Sequence, residues 1–384
     1  MSTKKPVSLP DDRRLTELAV YLGITLCGII ARYLMFPMTS WDLKHFLIPW
    51  YETIRDNGGF RAVGMDIGDY TPFYRYFLAF LTTFHIDAAI GIKVFSGIFE
   101  LVCAVYVKKI AELAFPGTSR PLLAYAAAFC LPSVMLNSAG WGQCDGIYTC
   151  FIVMSLYYLL KERDLLSMAM YGMAFAVKLQ AVFFAPFVLV MLLRGKIRLR
   201  SVWLVPGVYV VSVIPAMFAG SSFLNLLTVY FRQAGQYNLL SMALPNIWTL
   251  LTDVKSEELG RAGVFFAGAV MLCYVWYGYA NGKKCRLTVF EAVTGAAVSC
   301  MAVPYLLPFM HERYYFTSEV LLILAVCMKP ESAWMLPVSQ FCAGIAVLGN
   351  LVNKERPDMR WVTLLATAVL CMLFRLWREA LSER

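Results

Sequence analysis

The sequence predicts an all-α, polytopic membrane protein, and three observations carry that prediction. The chain of 384 residues is 60% apolar, 15% aromatic and 15% charged, with a mean hydropathy of +0.63. That is more apolar surface than one water-soluble core can hide, so the bilayer must act as solvent. Apolar runs of about twenty residues, enough to cross a hydrocarbon layer roughly 30 Å thick, recur almost end to end. The basic residues are also shared unequally between alternate loops, as the positive-inside rule requires.

In order, the runs lie near 16–38, 88–107, 121–139, 146–160, 165–178, 181–194, 200–219, 262–281, 287–308, 313–328, 333–351 and 360–377. They amount to about twelve crossings, within a range of roughly 11–13. The first follows Lys4, Lys5, Arg13 and Arg14, but it is too long for a signal-peptide core and has no clear small-residue cleavage site. It is expected to stay as an anchor. The pair 165–178 and 181–194 is short for full crossings.

Segment 70–86 is apolar enough to be a helix as well. If it crossed, every later loop would change sides and the basic loops would face outward. It is therefore expected to lie in the interface, which suits Phe73, Tyr74, Tyr76, Phe77, Phe80 and Phe84. On this threading the segments 1–15, 108–120, 161–164, 194–200, 282–286, 329 and 375–384 carry 20 of the 34 Lys and Arg. Loops of the other face carry 12, and Arg32 and Lys93 fall within apolar runs. Both termini are expected in the cytoplasm.

Two outer segments are long, 39–87 with its juxtamembrane helices and 220–261, and long loops in a compact chain are usually functional. There is no convincing internal repeat and no low-complexity linker, so 1–384 reads as a single domain. The eleven cysteines sit mostly inside apolar runs without a CxxC, which points to neither a zinc site nor a disulfide framework. The net charge of +9 is dispersed over short loops rather than massed in a patch. That excludes a nucleic-acid partner.

Five motifs stand out against the apolar background. In Ser40-Trp41-Asp42-Leu43-Lys44-His45, a carboxylate emerges just beyond the first run, with His45 three residues on along a helix. Asp42 suits a general base; equally, Ser40 or Asp42 suits a helix cap. Asp66-Ile67-Gly68-Asp69-Tyr70-Thr71-Pro72 sets two acids before a proline-started aromatic helix. Turn and cap chemistry accounts for Asp66, and a divalent cation on Asp66 or Asp69 is not excluded, although two acids alone are a weak metal signal.

Trp141-Gly142-Gln143-Cys144-Asp145-Gly146 parts two apolar runs with no basic residue, and a tight turn needs neither Gln143 nor Asp145. A carboxylate at membrane depth costs about 2.5–3.5 kcal/mol, so it is expected to have a use. Lys178-Leu179-Gln180 places an ammonium and an amide inside apolar sequence. Snorkelling is the ordinary explanation; a hairpin tip below the membrane surface would instead aim Lys178 at a polar cavity. His311-Glu312-Arg313 puts three ionisable residues at the end of a span, where an interfacial anchor needs only the Tyr314–Tyr315 pair. His311 and Arg313 suit a phosphate, with Glu312 orienting one of them. Tyr230, Arg232, Gln233, Tyr237, Asn238, Asn246 and Trp248 of the second long loop suit a sugar.

Taken in order, these motifs resemble the GT-C superfamily of membrane glycosyltransferases, over most of the chain. Asp42 to His45, Asp69-Tyr70-Thr71-Pro72-Phe73, Lys178 and His311-Glu312-Arg313 look like the ordered signatures of dolichyl-phosphate-glucose glucosyltransferases. The Trp141-to-Asp145 block, Lys178-Leu179-Gln180 and Met310-His311-Glu312-Arg313-Tyr314 look closer to bacterial proteins related to GPI-anchor mannosyltransferases. Thr71 stands where the first group has proline, Arg313 where it has lysine, and the Asp42-to-His45 spacing differs, so the donor sugar does not carry over.

The resemblance implies a polyprenyl-phosphate sugar donor, a glycan or glycolipid acceptor, a site on the extracytoplasmic face of a bacterial plasma membrane, and no cofactor. It also implies that Asp42 is the catalytic base. Lys178, His311 and Arg313 are then expected on the donor phosphate, and His45, Asp69, Tyr70, Gln143, Asp145, Gln180 and Glu312 in contact or support. A transporter or flippase for an anionic or glycosylated lipid is the rival expectation. It would place its polar groups near the bilayer midplane between matching halves, which this sequence does not do.

Overall fold

A computed structural model describes residues 11–233, 239–251, 256–282, 286–351 and 355–382. Helix α1 (Asp11–Met35) leads into a π-helical turn, Leu43–Leu47, then α2 (Ile48–Asp56), a 3-10 turn at Gly59–Gly64 and α3 (Pro72–Thr82). Next come α4 (Ala88–Ala114), α5 (Arg120–Cys130), α6 (Pro132–Met135), a second π turn at Leu136–Trp141, α7 (Asp145–Leu160) and α8 (Asp164–Val177). A 3-10 turn at Leu179–Phe184 leads to α9 (Ala185–Leu193), α10 (Leu199–Val202) and α11 (Leu204–Phe218). The second long loop holds α12 (Phe223–Leu227), α13 (Val229–Gln233), β1 (Ser241–Met242) and a 3-10 turn at Ile247–Leu251. The chain then runs through α14 (Glu257–Gly282), α15 (Val289–Leu306), β2 (Met310–His311), α16 (Phe316–Met328), α17 (Met335–Leu351) and α18 (Met359–Ser382).

The protein is thus an all-α polytopic membrane protein, and each of the expected apolar runs is helical. Among the described residues six helices are individually long and apolar enough to cross, and α5 with α6 and its π turn makes a seventh, bent by 42°. The bend falls where Pro132 forces Leu131 into extended backbone (φ −60°, ψ 129°), so the run expected as straight over 121–139 is broken. Helices α7, α8 and α16, and the Leu179–Leu193 segment, are shorter apolar helices. Helix α3 has only 11 residues, about 16 Å at 1.5 Å per residue, too short to cross. It packs against α11. The Tyr76 hydroxyl donates to Ser212 O (2.8 Å) and accepts from Ala216 N (3.0 Å). It is thereby inserted into the backbone ladder of α11 beside Pro215, a common cause of local helix distortion.

Helix α15 is the axis of the bundle, 89% of its apolar window being buried, whereas only 11% of the α1 window is. Lipid must cover α1, because Leu18, Leu22, Leu26 and Ile29 lie open. Two charged residues of α4 nevertheless hold it. Glu100 accepts from Arg32 Nε (3.0 Å) and Nη2 (2.8 Å) and from Ser138 Oγ (2.6 Å), which ties α1 and the second π turn to one carboxylate. Two turns earlier, Lys93 Nζ donates to Phe36 O (2.9 Å) and Met38 O, satisfying carbonyls that the end of α1 leaves without partners. The end of α1, which leads into the first long loop, and the second π turn are therefore both fixed to α4. At the opposite end of α8 and α15, Arg198 grips Asp164 (Nε to Oδ2, 2.8 Å) and Arg194 pairs with Glu291. Arg198 together with Ser201 holds the Asp164 carboxyl well below the usual carboxylate range, against the opposing effect of burial.

Candidate active site

At the end of the bundle away from Arg194 and Arg198, the ends of α1, α8 and α15 and the starts of α7 and α16 surround a cavity of about 340 Å³. Asp42, Asp69, Tyr70, Gln143, Lys178, Gln180, His311 and Arg313 all line it. The motifs scattered over nearly three hundred positions thus meet in one place. Most of the remaining lining is apolar, including Phe46, Val182, Phe183, Val264 and Phe309, with the hydroxyl residues Thr71, Tyr230 and Tyr314 among it.

Ser40 resolves the two readings of the first motif. Its Oγ accepts from Leu43 N (3.0 Å) and donates to Trp141 O (2.8 Å), while the Asp42 side chain makes no cap bond. Ser40 is the cap, and Asp42 is left free for the cavity. Asp42 Oδ2 accepts from Gln143 Nε2 (2.8 Å) and Trp141 Nε1 (3.2 Å), with Arg313 Nη1 at 3.4 Å. All three contacts converge on Oδ2 of a side chain that is still 26% exposed.

Asp145 is fully buried beneath this carboxylate. Lys178 Nζ donates to its Oδ1 (2.6 Å) and Asn137 Nδ2 to its Oδ2 (2.9 Å). Arg313 Nε lies 3.2 Å from the same Oδ2, although without the alignment of a hydrogen bond. Arg313 also donates to Glu312 Oε1 (3.1 Å), and therefore stands among Asp42, Asp145 and Glu312. Glu312 lies outside the helices. Burial raises its pKa, but the hydrogen bond from His311 and the positive charge of Arg313 outweigh that and hold the carboxyl at about 2. Lys178 breaks α8 with an extended backbone (φ −153°, ψ 140°), and the rings of Tyr70, Tyr148 and Tyr314 surround its ammonium at 5.6–6.0 Å. It is a buried, paired cation rather than a snorkelling one.

Tyr70 donates to Gln143 Oε1 (3.2 Å), and Thr71 Oγ1 donates to Ala176 O (2.6 Å), pinning the loop before α3 to the end of α8. Burial pushes the Tyr70 hydroxyl well above its ordinary pKa, so it remains a donor. His311 belongs to β2, which pairs in parallel with β1, so the second long loop fixes it. That loop is itself tied down, by Trp248 Nε1 to Leu306 O (2.7 Å) and by Asn246 Nδ2 to Pro304 O (3.2 Å). Asn246 and Trp248 therefore brace the site from beneath instead of reaching a sugar. Tyr230 lines the cavity and Arg232 lies 4.0 Å from exposed Asp66. Tyr237 and Asn238 lie outside the described residues, as does the Gln233 side chain.

His45 departs from expectation. Its Nδ1 is 2.9 Å from Trp41 O and its ring stacks on Trp41 at 4.5 Å, on the exposed side of the turn. A π turn closes with i→i+5 bonds, wider than an α turn, so a residue three further on no longer shares its face. Asp42 is accordingly held by Trp141, Gln143 and Arg313 and not by His45. Asp69 lines the cavity near its mouth. Among the described residues, no group of three or more His, Cys, Asp or Glu side chains is placed to hold a metal ion. Sequence reasoning gives Asn137, Glu100 and Arg32 no role. Their signal was present as single polar residues inside apolar runs.

A helical membrane bundle here carries a mainly apolar cavity at one end, floored by paired charges and rimmed by a held carboxylate. The family comparison makes this specific: the model of glycosyltransferase family 87 matches residues 69–304, more than half of the chain, and the protein belongs to that family. It is a membrane glycosyltransferase. A search of curated proteins gave no match. The matched range includes Tyr70, Gln143, Asp145 and Lys178; Asp42 and His311–Arg313 lie beyond it and join the site through the geometry alone.

Proposed function

We propose that the protein is an inverting, GT-C-type hexosyltransferase that moves mannose or glucose from a polyprenyl-phosphate donor to a hydroxyl of a glycan or glycolipid. The carrying observation is the position of Asp42, a held but still accessible carboxylate sharing one cavity with Lys178, His311 and Arg313. A base must reach the acceptor proton, and cations must stand near the departing charge. Asp42 takes the proton of the acceptor hydroxyl as that oxygen bonds to the anomeric carbon. The bond from that carbon to the phosphate oxygen breaks, and its electron pair leaves on the phosphate. A polyprenyl phosphate is already a stable anion, so it needs charge stabilisation more than a proton. His311 and Arg313 supply this at the cavity wall, while Lys178 adds field from beneath through Asp145. The apolar lining at Phe46, Val182, Phe183 and Val264 suits the first isoprene units of such a donor.

The basic-loop bias supports a cytoplasmic placement of both termini and an extracytoplasmic site. The test is consumption of radiolabelled polyprenyl-phosphate mannose and polyprenyl-phosphate glucose by purified protein with membrane glycolipid as acceptor. One donor is expected to be consumed, and Asp42→Asn is expected to lower the rate by at least about 10²-fold with the fold intact. Near-normal turnover in that variant would remove Asp42 from the mechanism.

A further inference from the structure

The geometry points to Trp141 and Gln143 as positioning residues that set the aim of Asp42, with Tyr70 supporting Gln143 in turn. This assigns Trp141 and Gln143 to the base and not to the sugar. Whether Asp42 acts as the base rests on the proposed function; how it is held does not.

The case begins with which atoms are engaged. The indole N–H of Trp141 and the amide N–H of Gln143 both reach Oδ2 of Asp42, at 3.2 and 2.8 Å. Among the described residues no hydrogen bond or ion pair falls on Oδ1. Two donors on one oxygen fix the carboxylate plane, which leaves Oδ1 as the atom presented to the cavity. A carboxylate held by one oxygen and open at the other is the arrangement a proton acceptor needs, because the accepting lone pairs keep a defined direction.

The amide of Gln143 must present its N–H₂ end. If it were turned over, its oxygen would face the carboxylate. The Asp42 carboxylate, which can only accept, decides this, and the Tyr70 hydroxyl, able to donate or accept, fits the result by donating to Gln143 Oε1 at 3.2 Å. Gln143 is buried to 1% exposure and Trp141 to 2%, so water does not compete for either bond. The π turn before Gly142 exists in the same service. Gln143 N donates to Asn137 O (2.9 Å) and Gly142 N to Ser138 O (2.9 Å), which sets both side chains on one rim.

Other charges face Asp42 as well. Arg313 is 3.4 Å away, Lys178, Asp69 and His311 line the same cavity, and Glu312 and Asp145 act on it through Arg313. With so many charges at hand, the test must read Asp42 itself.

Infrared difference spectroscopy of the full-length protein in detergent does so, using the carboxylate stretching bands that disappear in Asp42→Asn. Trp141→Phe keeps the ring bulk and removes the donor; Gln143→Leu removes the amide. Each is expected to narrow the splitting between the asymmetric and symmetric bands, because hydrogen bonds on one oxygen make the two C–O bonds unequal, and Tyr70→Phe to narrow it less. In each of the first two variants kcat should fall several-fold with KM for the donor unchanged, and neither substitution should lower the residual rate of Asp42→Asn further. A merely structural role would lower the rate of Asp42→Asn as well and leave the bands where they were. Unmoved bands in both Trp141→Phe and Gln143→Leu, with the fold retained, overturn the assignment. If the bands move but Asp42→Asn still transfers sugar at the native rate, the positioning stands and the reading of Asp42 as base falls.

Discussion

Individual charges were the most legible part of this molecule, because an ionisable residue in apolar sequence is too costly to be incidental. Asp42, Asp145, Lys178 and Arg313 announce themselves on that ground. Their partners do not. Sequence spacing offers His45 to Asp42, whereas the structure gives it Trp141, Gln143 and Arg313 from distant segments. The Lys178–Asp145 pair, with side chains 6% and 0% exposed, should be intolerant of losing one member. Lys178→Met leaves a buried carboxylate with Arg313 as its remaining cation, and a loss of about 3 kcal/mol is expected in unfolding from detergent. Lys178→Met with Asp145→Asn should recover much of it. Arg313→Lys keeps the charge but cannot reach Asp42, Asp145 and Glu312 together, so KM for the donor should rise and kcat fall at least several-fold. Glu312 titrates at about 2 in the folded protein against 4.5 as its ordinary value. Its stabilising effect is complete above the ordinary value and fades as pH falls from there towards 2. Glu312→Gln should therefore flatten the acid side of the stability profile over that window, as followed by thermal unfolding.

At the scale of elements, each long apolar run became a helix, since hydrophobic length is read directly off the chain. Breaks and irregular turns were harder to read. Pro132 was visible, but the 42° bend that it produces depends on how α6 and its π turn meet α4. The π turns depend on tertiary hydrogen bonds to Ser40 and Glu100 that no local spacing reports. Gly142 is their clearest requirement. It has φ +76°, and a Cβ there would lie 2.9 Å from Leu43 Cδ1, against the turn that carries Asp42. Gly142→Ala should cost about 1–2 kcal/mol through the left-handed backbone alone, and should lower transfer further by pushing Leu43. Leu43→Ala in the same chain is expected to restore part of the activity but not the backbone term. Tyr76→Phe should loosen α3 from α11, measurable as faster amide exchange in Thr71–Thr82 with Asp42 unaffected.

For the whole molecule, polytopic helical character followed from composition, and convergence of the motifs followed from the basic-loop bias. What the chain could not disclose was depth. An epitope inserted after Asn57 and another after Glu162 are expected to be reached from opposite faces of sealed vesicles, the first from outside; labelling from one face would reverse the proposed threading. Helices α7 and α8 have 16 and 14 residues, and each joins the end bearing Lys161 and Asp164 to the floor of the cavity. At 1.5 Å per residue they measure about 24 and 21 Å, which is 6–9 Å less than a hydrocarbon layer of roughly 30 Å. Asp145 and Lys178 are nevertheless buried in the bundle, while the lipid-covered α1 has 25 residues, about 37 Å and enough to cross. Long outer helices can thus meet the bilayer while short inner ones leave a recess within it, and no lipid has to thin around the charges. Turnover should accordingly change little on reconstitution with moderately longer phospholipid tails, and a steep loss would show that the short helices face lipid.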